Sequence, residues 1–296
     1  MDAAELWNVE YLAGRYLDDP PVGFVDDIVT AAARYGLRRG VYIGCGNGRN
    51  LLPLLDAGLD LIGVDISAEA IAQLRARRPD RADRLIVGDL SAVPGDHDLV
   101  VGIQVFQHGT RAQAHRHLGE AAARVAPGGL LCVRVNATAT DIEYDHDVVE
   151  TAPGDGYTIR YRSGPKTGLD IRFFTAHELQ ALLGDRFTEE MPLRLHSTRR
   201  TPPAAGQWSQ WEGIWQRVGR RGRTGADRLV TQDDARFRRA VVPHRVTVAS
   251  DVDVAAHDDG PVAGQAEVGG GVGGDVGGGD EQPLAPGGHR RRGTAP

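Results

Sequence analysis

Lysine is nearly absent from this 296-residue chain: Lys166 is the only one, and every other basic side chain is arginine. With so much Ala, Gly, Val and Asp, this reads as the codon usage of a GC-rich genome, so scattered arginines are background. Cysteine is scarce as well. Cys45 and Cys132 both lie in apolar runs, which excludes a disulfide framework. No apolar run approaches the roughly 20 residues that span a bilayer. The start, "MDAAELWNVEYLAG", is acidic and has no apolar core segment, so it does not read as a signal peptide. A formal net charge of -6 gives no global pull toward nucleic acid. His115 and His117 stand two apart on an expected helix, so they point to different faces and make no close metal pair. Solvated helix surface is the role expected of both, and no zinc or iron constellation is expected anywhere. These features describe a soluble, cytoplasmic protein.

What is present is an alternation. "GVYIG" (40–44), "DLIGVDI" (60–66), "RLIVGDL" (84–90), "DLVVGIQV" (98–105) and "LLCVRVNA" (130–137) are short apolar runs rich in β-branched residues, as in strands covered on both faces. Between them, "RNLLPLLDAG", "SAEAIAQLRARRP" and "TRAQAHRHLGEAAARVAPGG" carry helical spacing. Strand and helix in alternation predict a parallel, doubly wound α/β sheet. After Ala137 the pattern changes. "YTIRYRSGPKTGLDIRFF" predicts two strands about a turn. "TAHELQALLGDRF" predicts a helix with Thr175 as N-cap and Glu178 in the capping-box position. The segment 187–217 suits a terminal antiparallel hairpin, although Trp208, Trp211 and Trp215 are also compatible with one helical face.

Beyond Val218 come basic, acidic and glycine-rich tracts with too little periodic apolar surface to offset the entropy of ordering them. Two units are therefore expected: a folded domain over 1–218 and a disordered tail over 219–296. "GGVGGDVGG" occurs once in that tail, and the apolar position of a calcium-binding nonapeptide is there Gly277, so flexible filler is the reading. Out-of-frame translation of a GC-rich gene is a further hypothesis for the tail.

The segment "GVYIGCGNGRNLLPLL" carries the chemistry. Gly44, Gly46 and Gly48 stand between a strand and a helix, where glycine lets a ligand approach bare backbone and a turn aims N–H groups at it. The dinucleotide fingerprint would need a third glycine where Arg49 stands. Asp65 follows Gly44 by 21 positions and can accept from both hydroxyls of a ribose. That suits NAD and S-adenosylmethionine alike. A phosphate-binding loop is excluded, because no Gly-Lys-Ser/Thr follows. The third strand ends in Asp89, which can accept from an adenine amine.

Taken in order, "VYIGCGNGRN", "GVDIS", "VGDL", "DLVVGIQVFQH" and "VAPGGLLCVRV" resemble the motifs of class I S-adenosylmethionine-dependent methyltransferases. "GCGNGRN" in particular looks like the tellurite-resistance and thiopurine-type small-molecule enzymes. The resemblance covers about residues 5 to 217. It implies a Rossmann-like seven-stranded sheet with the last strand antiparallel, and S-adenosylmethionine as cofactor. Gly44, Cys45 and Gly46 would pass beneath its methionine part, with Ile103 near the sulfonium. Asp65 would hold the ribose, Ile66 would lie against the adenine, and Asp89 and Leu90 would meet the adenine edge. Alternatively, Asp65 and Asp89 only cap the helices that follow.

In the enzymes it resembles, an N-terminal aromatic segment closes over cofactor and substrate. Trp7, Tyr11 and Arg15 recur on one helical face here, and Tyr16 follows; rings and arginine would pack the sulfonium and meet the methionine carboxylate, or simply pack the helix on the sheet. His108 follows the fourth strand at the ligand edge and is the candidate general base, needed only if the acceptor must lose a proton. Gln107-His108 stands where paired histidines are common among relatives. Arg160, Arg162, Lys166 and Arg172 form either a basic wall for an anionic acceptor or a solvated face. The expected partner is a small-molecule methyl acceptor, not nucleic acid or membrane: "IQVFQHG" lacks the Asn/Asp-Pro-Pro-aromatic motif of base methylation. The rival readings are a nicotinamide-dependent oxidoreductase, which leaves Asp89 unexplained, and a non-catalytic cofactor-binding protein.

Overall fold

A computed structural model describes residues 2–219; the expectations for the tail concern residues outside these. The elements run α1 (Ala3–Leu12), α2 (Phe24–Tyr35), β1 (Arg39–Ile43), α3 (Leu51–Asp56), β2 (Asp60–Asp65), α4 (Ala68–Arg77), β3 (Leu85–Val87), β4 (His97–Ile103), α5 (Arg111–Ala123) and β5 (Val125–Asn136). They continue with β6 (His146–Thr151), β7 (Tyr157–Tyr161), β8 (Asp170–Phe173), α6 (Ala176–Leu183), β9 (Phe187–Arg199) and β10 (Gln207–Arg217).

Seven strands form one sheet in the order β3-β2-β1-β4-β5-β10-β9. β1 to β5 pair in parallel, and β10 enters antiparallel between β5 and β9. This is the expected Rossmann-like sheet with its last strand reversed. The period of two in each strand sends alternate side chains to opposite faces, and both faces are covered. Tyr42, Leu99, Val101 and Cys132 pack with Phe24 and Ile28 of α2 and with Leu51 and Leu54 of α3. Val41, Val100, Leu131 and Val133 pack with Leu118 of α5 and Leu179 of α6. Two-sided burial is why these strands read as unbroken apolar runs.

The three tryptophans lie on strand β10, so the helical alternative for them falls. α2 and β6 are elements that the run-by-run reading does not predict. α2 shows its apolar face only once Phe24, Val25, Ile28 and Ala32 are placed at helical spacing. β6 is largely exposed, and its pairing with β7 decides it. With β7 and β8 it makes a second, three-stranded antiparallel sheet around Ile159, Tyr161, Ile171 and Phe173. Among the described residues no helix is long and apolar enough to cross a membrane.

Candidate functional site

Strand order reverses between β1 and β4, and in doubly wound sheets the crevice beyond the strand ends at that point receives ligands. The glycine loop leaves β1 there, with φ of 66° at Gly44, 53° at Gly46 and 99° at Gly48. A Cβ on Gly44 would lie 2.5 Å from Val105 Cγ2, and one on Gly46 would lie 2.4 Å from the Tyr11 hydroxyl. Glycine is required here by conformation and space together. The loop's N–H groups, expected to aim at a ligand, are instead spent inside the protein. Gly44 and Cys45 donate to the Val64 carbonyl, Gly48 donates to the Cys45 carbonyl, and Gly46 donates to Asp65 at 2.8 Å. A pyrophosphate would find those four donors already committed, so the loop suits a ligand that meets it by shape.

Asp65 is buried. Its two oxygens accept from the Gly46 and Ser67 N–H groups at 2.8 and 2.9 Å. Burial pushes its carboxyl above the usual aspartate range, partly offset by those two bonds. Ser67, not Asp65, caps α4 through the Ala70 N–H. Asp89 does cap the short turn after β3, accepting from the Ser91 hydroxyl and N–H, which hold its carboxyl below the usual range. Even so, both carboxylates line one cavity of about 720 Å³, together with Gly44, Ile66 and buried Leu90. Ile66 is 39% exposed, a side chain left open toward that space.

Helix α1 lies over the cleft. Asp2 and Glu5 close a reciprocal capping box at its start. Its outer side is tied to α4: Asn8 accepts from the Ser67 hydroxyl, and Gln73 donates to the Tyr11 carbonyl. Trp7 meets the His108 ring edge-on at 5.2 Å, and Tyr11 meets Tyr16 at 5.8 Å. Tyr11 is buried against the glycine loop, and burial with nearby Asp65 raises its phenol pKa. The helix ends at Leu12, so Arg15 falls beyond it. Arg15 pairs with Glu10 at 2.9 Å and lines neither cavity described here.

His108 stands where β4 hands over to α5, its Nε2 3.2 Å from the Gln104 carbonyl oxygen, and it lines the main cavity. The preceding turn places Gln104 at φ 57°, a left-handed conformation uncommon outside glycine. A smaller recess of about 100 Å³ shares Tyr11, Gly44, Gln104 and His108 with the main cavity and adds Cys45, Gly46, Tyr16, Ile103, Gln107 and Lys166. Gln107 has no place in the sequence reading except as a departure; only the fold reveals it as 3% exposed and part of the recess.

Several surface readings are overturned. His115 is not solvated: it bonds Glu178 and stacks on Phe174. His117 is half-buried in the cavity wall, and burial lowers its pKa. Arg172 is 0% exposed and pairs with Glu178 at 2.7 Å. Arg160 and Arg162 pair with Asp170 and Asp147. The three arginines of the basic wall are therefore each paired with a carboxylate. The capping box at Thr175 forms by half, because Thr175 accepts from the Glu178 N–H while the Glu178 side chain turns inward.

Comparison with known proteins agrees with this architecture. Residues 41–129, from β1 into β5, match the family described as a methyltransferase domain. In this segment the chain is similar to a methyltransferase domain. Uncharacterized methyltransferases of Mycobacterium tuberculosis and Mycobacterium bovis are 28% identical to the chain over 142 residues, 48% of its length. The chain spans 56% of the length of these curated relatives. The CcbJ methyltransferase of Streptomyces caelestis has the same fold, with a TM-score of 0.51 and 14% identity over 74% of this chain and 100% of that one. So does a protein solved in connection with the conversion of a disulfide bond into a thioacetal group in echinomycin biosynthesis. Its TM-score is 0.51 at 16% identity, over 73% of this chain and 94% of that one. In this fold Gly44, Asp65, Asp89 and His108 stand around one cleft.

Proposed function

We propose that the chain is a methyltransferase that uses S-adenosylmethionine to methylate a small molecule, and that its functional domain ends near Val218. The observation that carries this reading is the cleft floor. A loop with glycine at every second position, whose Gly44, Cys45, Gly46 and Gly48 N–H groups are committed within the protein, lies beside a buried carboxylate held by two backbone donors. That floor suits a ligand with a ribose and a flexible thioether arm, and a cavity of about 720 Å³ lies in the range of roughly 300–1,000 Å³ typical of small-ligand sites.

Each Asp65 oxygen keeps a second lone pair for a ribose hydroxyl. Ile66 and Leu90 form apolar walls for an adenine, and the Asp89 carboxylate accepts from its amine. Gly44, Cys45 and Gly46 run beneath the methionine part, with Ile103 at the sulfonium end, while Tyr11 and Tyr16 close the side opposite the sheet. When bound, the cofactor supplies a methyl carbon already activated by its sulfonium, so the protein's work is alignment and exclusion of water. α1, pinned to α4, excludes the water. His108, on the wall shared by both cavities, takes the proton from an acceptor hydroxyl or amine. Enclosure beneath α1 favours a small acceptor over a macromolecule.

Calorimetric titration of the full chain with S-adenosylmethionine and S-adenosylhomocysteine, with NADH as control, tests the reading. Micromolar binding of both sulfur ligands, none of NADH, and loss of binding in Asp65→Ala are expected. A chain that takes up neither sulfur ligand is not a methyltransferase of this kind.

A further inference from the structure

The turn after β4 holds a backbone conformation that its sequence does not favour. Apart from glycines, Gln104 and Tyr16 are the described residues with φ in the left-handed region. Asparagine and aspartate reach that region with help from a short polar side chain, and glutamine lacks it. Such a residue persists only where its surroundings over-determine it, and it is a pointer to function. Here the Gln104 N–H donates to the Arg134 carbonyl at 2.7 Å, which ties the turn to β5. Turned over in this way, Gln104 presents its own carbonyl oxygen 3.2 Å from His108 Nε2. The rest of His108 is held from two other elements. Its backbone bridges Ile171 of β8; on either side of it the Gln107 carbonyl accepts from the Arg172 N–H at 2.7 Å, and the Gly109 N–H donates to the Asp170 carbonyl at 2.8 Å. Trp7 of α1 meets the ring edge-on at 5.2 Å. Held from three sides, the ring has little freedom to exchange its two nitrogens. A carbonyl oxygen only accepts, so Nε2 carries the hydrogen, and in the neutral ring the basic lone pair is on Nδ1.

We propose that Gln104 is a positioning residue: its left-handed peptide fixes the tautomer of His108 and makes Nδ1 the atom that takes the acceptor's proton. This rests on the methyltransferase reading for its use, while its test needs no cofactor. In the reaction the O–H or N–H bond of the acceptor breaks and its proton joins Nδ1. The electron pair left on the acceptor forms the new bond to the methyl carbon, and the pair of the broken C–S bond stays on sulfur. The imidazolium keeps its Nε2–H on the Gln104 carbonyl, whose dipole faces the new charge. The test is two-bond 1H–15N NMR on the full, ligand-free chain with 15N in its histidine rings, His108 being the signal set missing from His108→Asn. Where the ring is neutral, wild type should show the Nε2–H form and no Nδ1–H form. Valine resists left-handed φ, so in Gln104→Val the His108 Nε2–H should exchange with water about tenfold faster and the Nδ1–H form should appear. Gln104→Asn and Gln104→Gly accept that φ and should keep the wild-type ring signals. An Nδ1–H form in wild type, or unchanged tautomer and exchange in Gln104→Val, overturns the assignment and leaves the methyltransferase reading standing. If Gln104→Val does not fold, the wild-type tautomer and its retention in Gln104→Gly decide. A chain with the Nε2–H form that binds neither S-adenosylmethionine nor S-adenosylhomocysteine loses the methyltransferase reading and, with it, the role given to Nδ1.

Discussion

At Gly46 the backbone needs φ near 53°, and the Tyr11 hydroxyl occupies the place of a side chain. Gly46→Ala should cost about 1–2 kcal/mol for the left-handed conformation alone, with the contact adding to it, as read by urea unfolding. Adding Tyr11→Phe should return part of that loss, because the closest atom is then gone; no return would mean that α1 does not rest on the loop. Asp65 makes a pH prediction. Its ionised form is the acceptor for two backbone N–H groups and the proposed ribose, and its pKa is raised by burial. Affinity for S-adenosylhomocysteine should be level at neutral pH and fall on the acid side, beginning at a higher pH than an ordinary aspartate would give. A flat profile down to the usual aspartate range would remove Asp65 from the contact. These residue-scale features are legible in order and spacing: Gly44, Asp65 and Asp89 all reach one cleft, while Gly48 packs against Leu52 and Leu74.

At the scale of elements, the join between the small sheet and the large one depends on a buried ionic cluster. Glu178 on α6 accepts from Arg172 on β8, from the Gly156 N–H, and bonds His115 on α5. Burial alone would raise its pKa; the bonds from His115, Arg172 and Gly156 outweigh burial and lower it. Removing one partner of a buried pair strands the other charge, so Glu178→Ala should lose about 3–5 kcal/mol in urea unfolding. The sign follows from the lowered pKa: the stabilisation is complete above the pKa of an unfolded glutamate and disappears as pH falls through the lower folded value. Wild type should therefore lose stability on acidification more steeply than Glu178→Gln. None of this was visible in the sequence. His115 and Glu178 are 63 positions apart, and a helix surface histidine looks the same whether water or a carboxylate faces it.

For the whole molecule, the sheet closes with β10, which ends at Arg217, and the Val218 N–H donates to the Arg186 carbonyl. A chain ending at Val218 should keep the Tm of the full protein and its affinity for S-adenosylhomocysteine, measured side by side by thermal unfolding and calorimetry. A drop in either would bring residues beyond 218 into the domain. The succession of β1 to β5 was readable because each of these strands is buried on both faces and so appears as an apolar run, whereas the seven-stranded sheet was implied by the family resemblance. β6, exposed and polar, and α2, masked by two aspartates in its first turn, left weaker traces.

The sequence by itself determined the succession of strands and helices, the loop between β1 and α3, the carboxylates after β2 and β3, and the reversed last strand through its family resemblance. All but the last follow from local backbone demands and periodic burial, which are written in neighbouring residues. Only the tertiary structure decided that Arg15 turns to Glu10, that Arg172 is buried on Glu178, that the glycine loop's N–H groups are spent inside the protein, and that Gln107 and Lys166 share a recess. The pairing of charges and polar groups depends on which distant segments enclose the same low-dielectric space, and no local pattern carries that information.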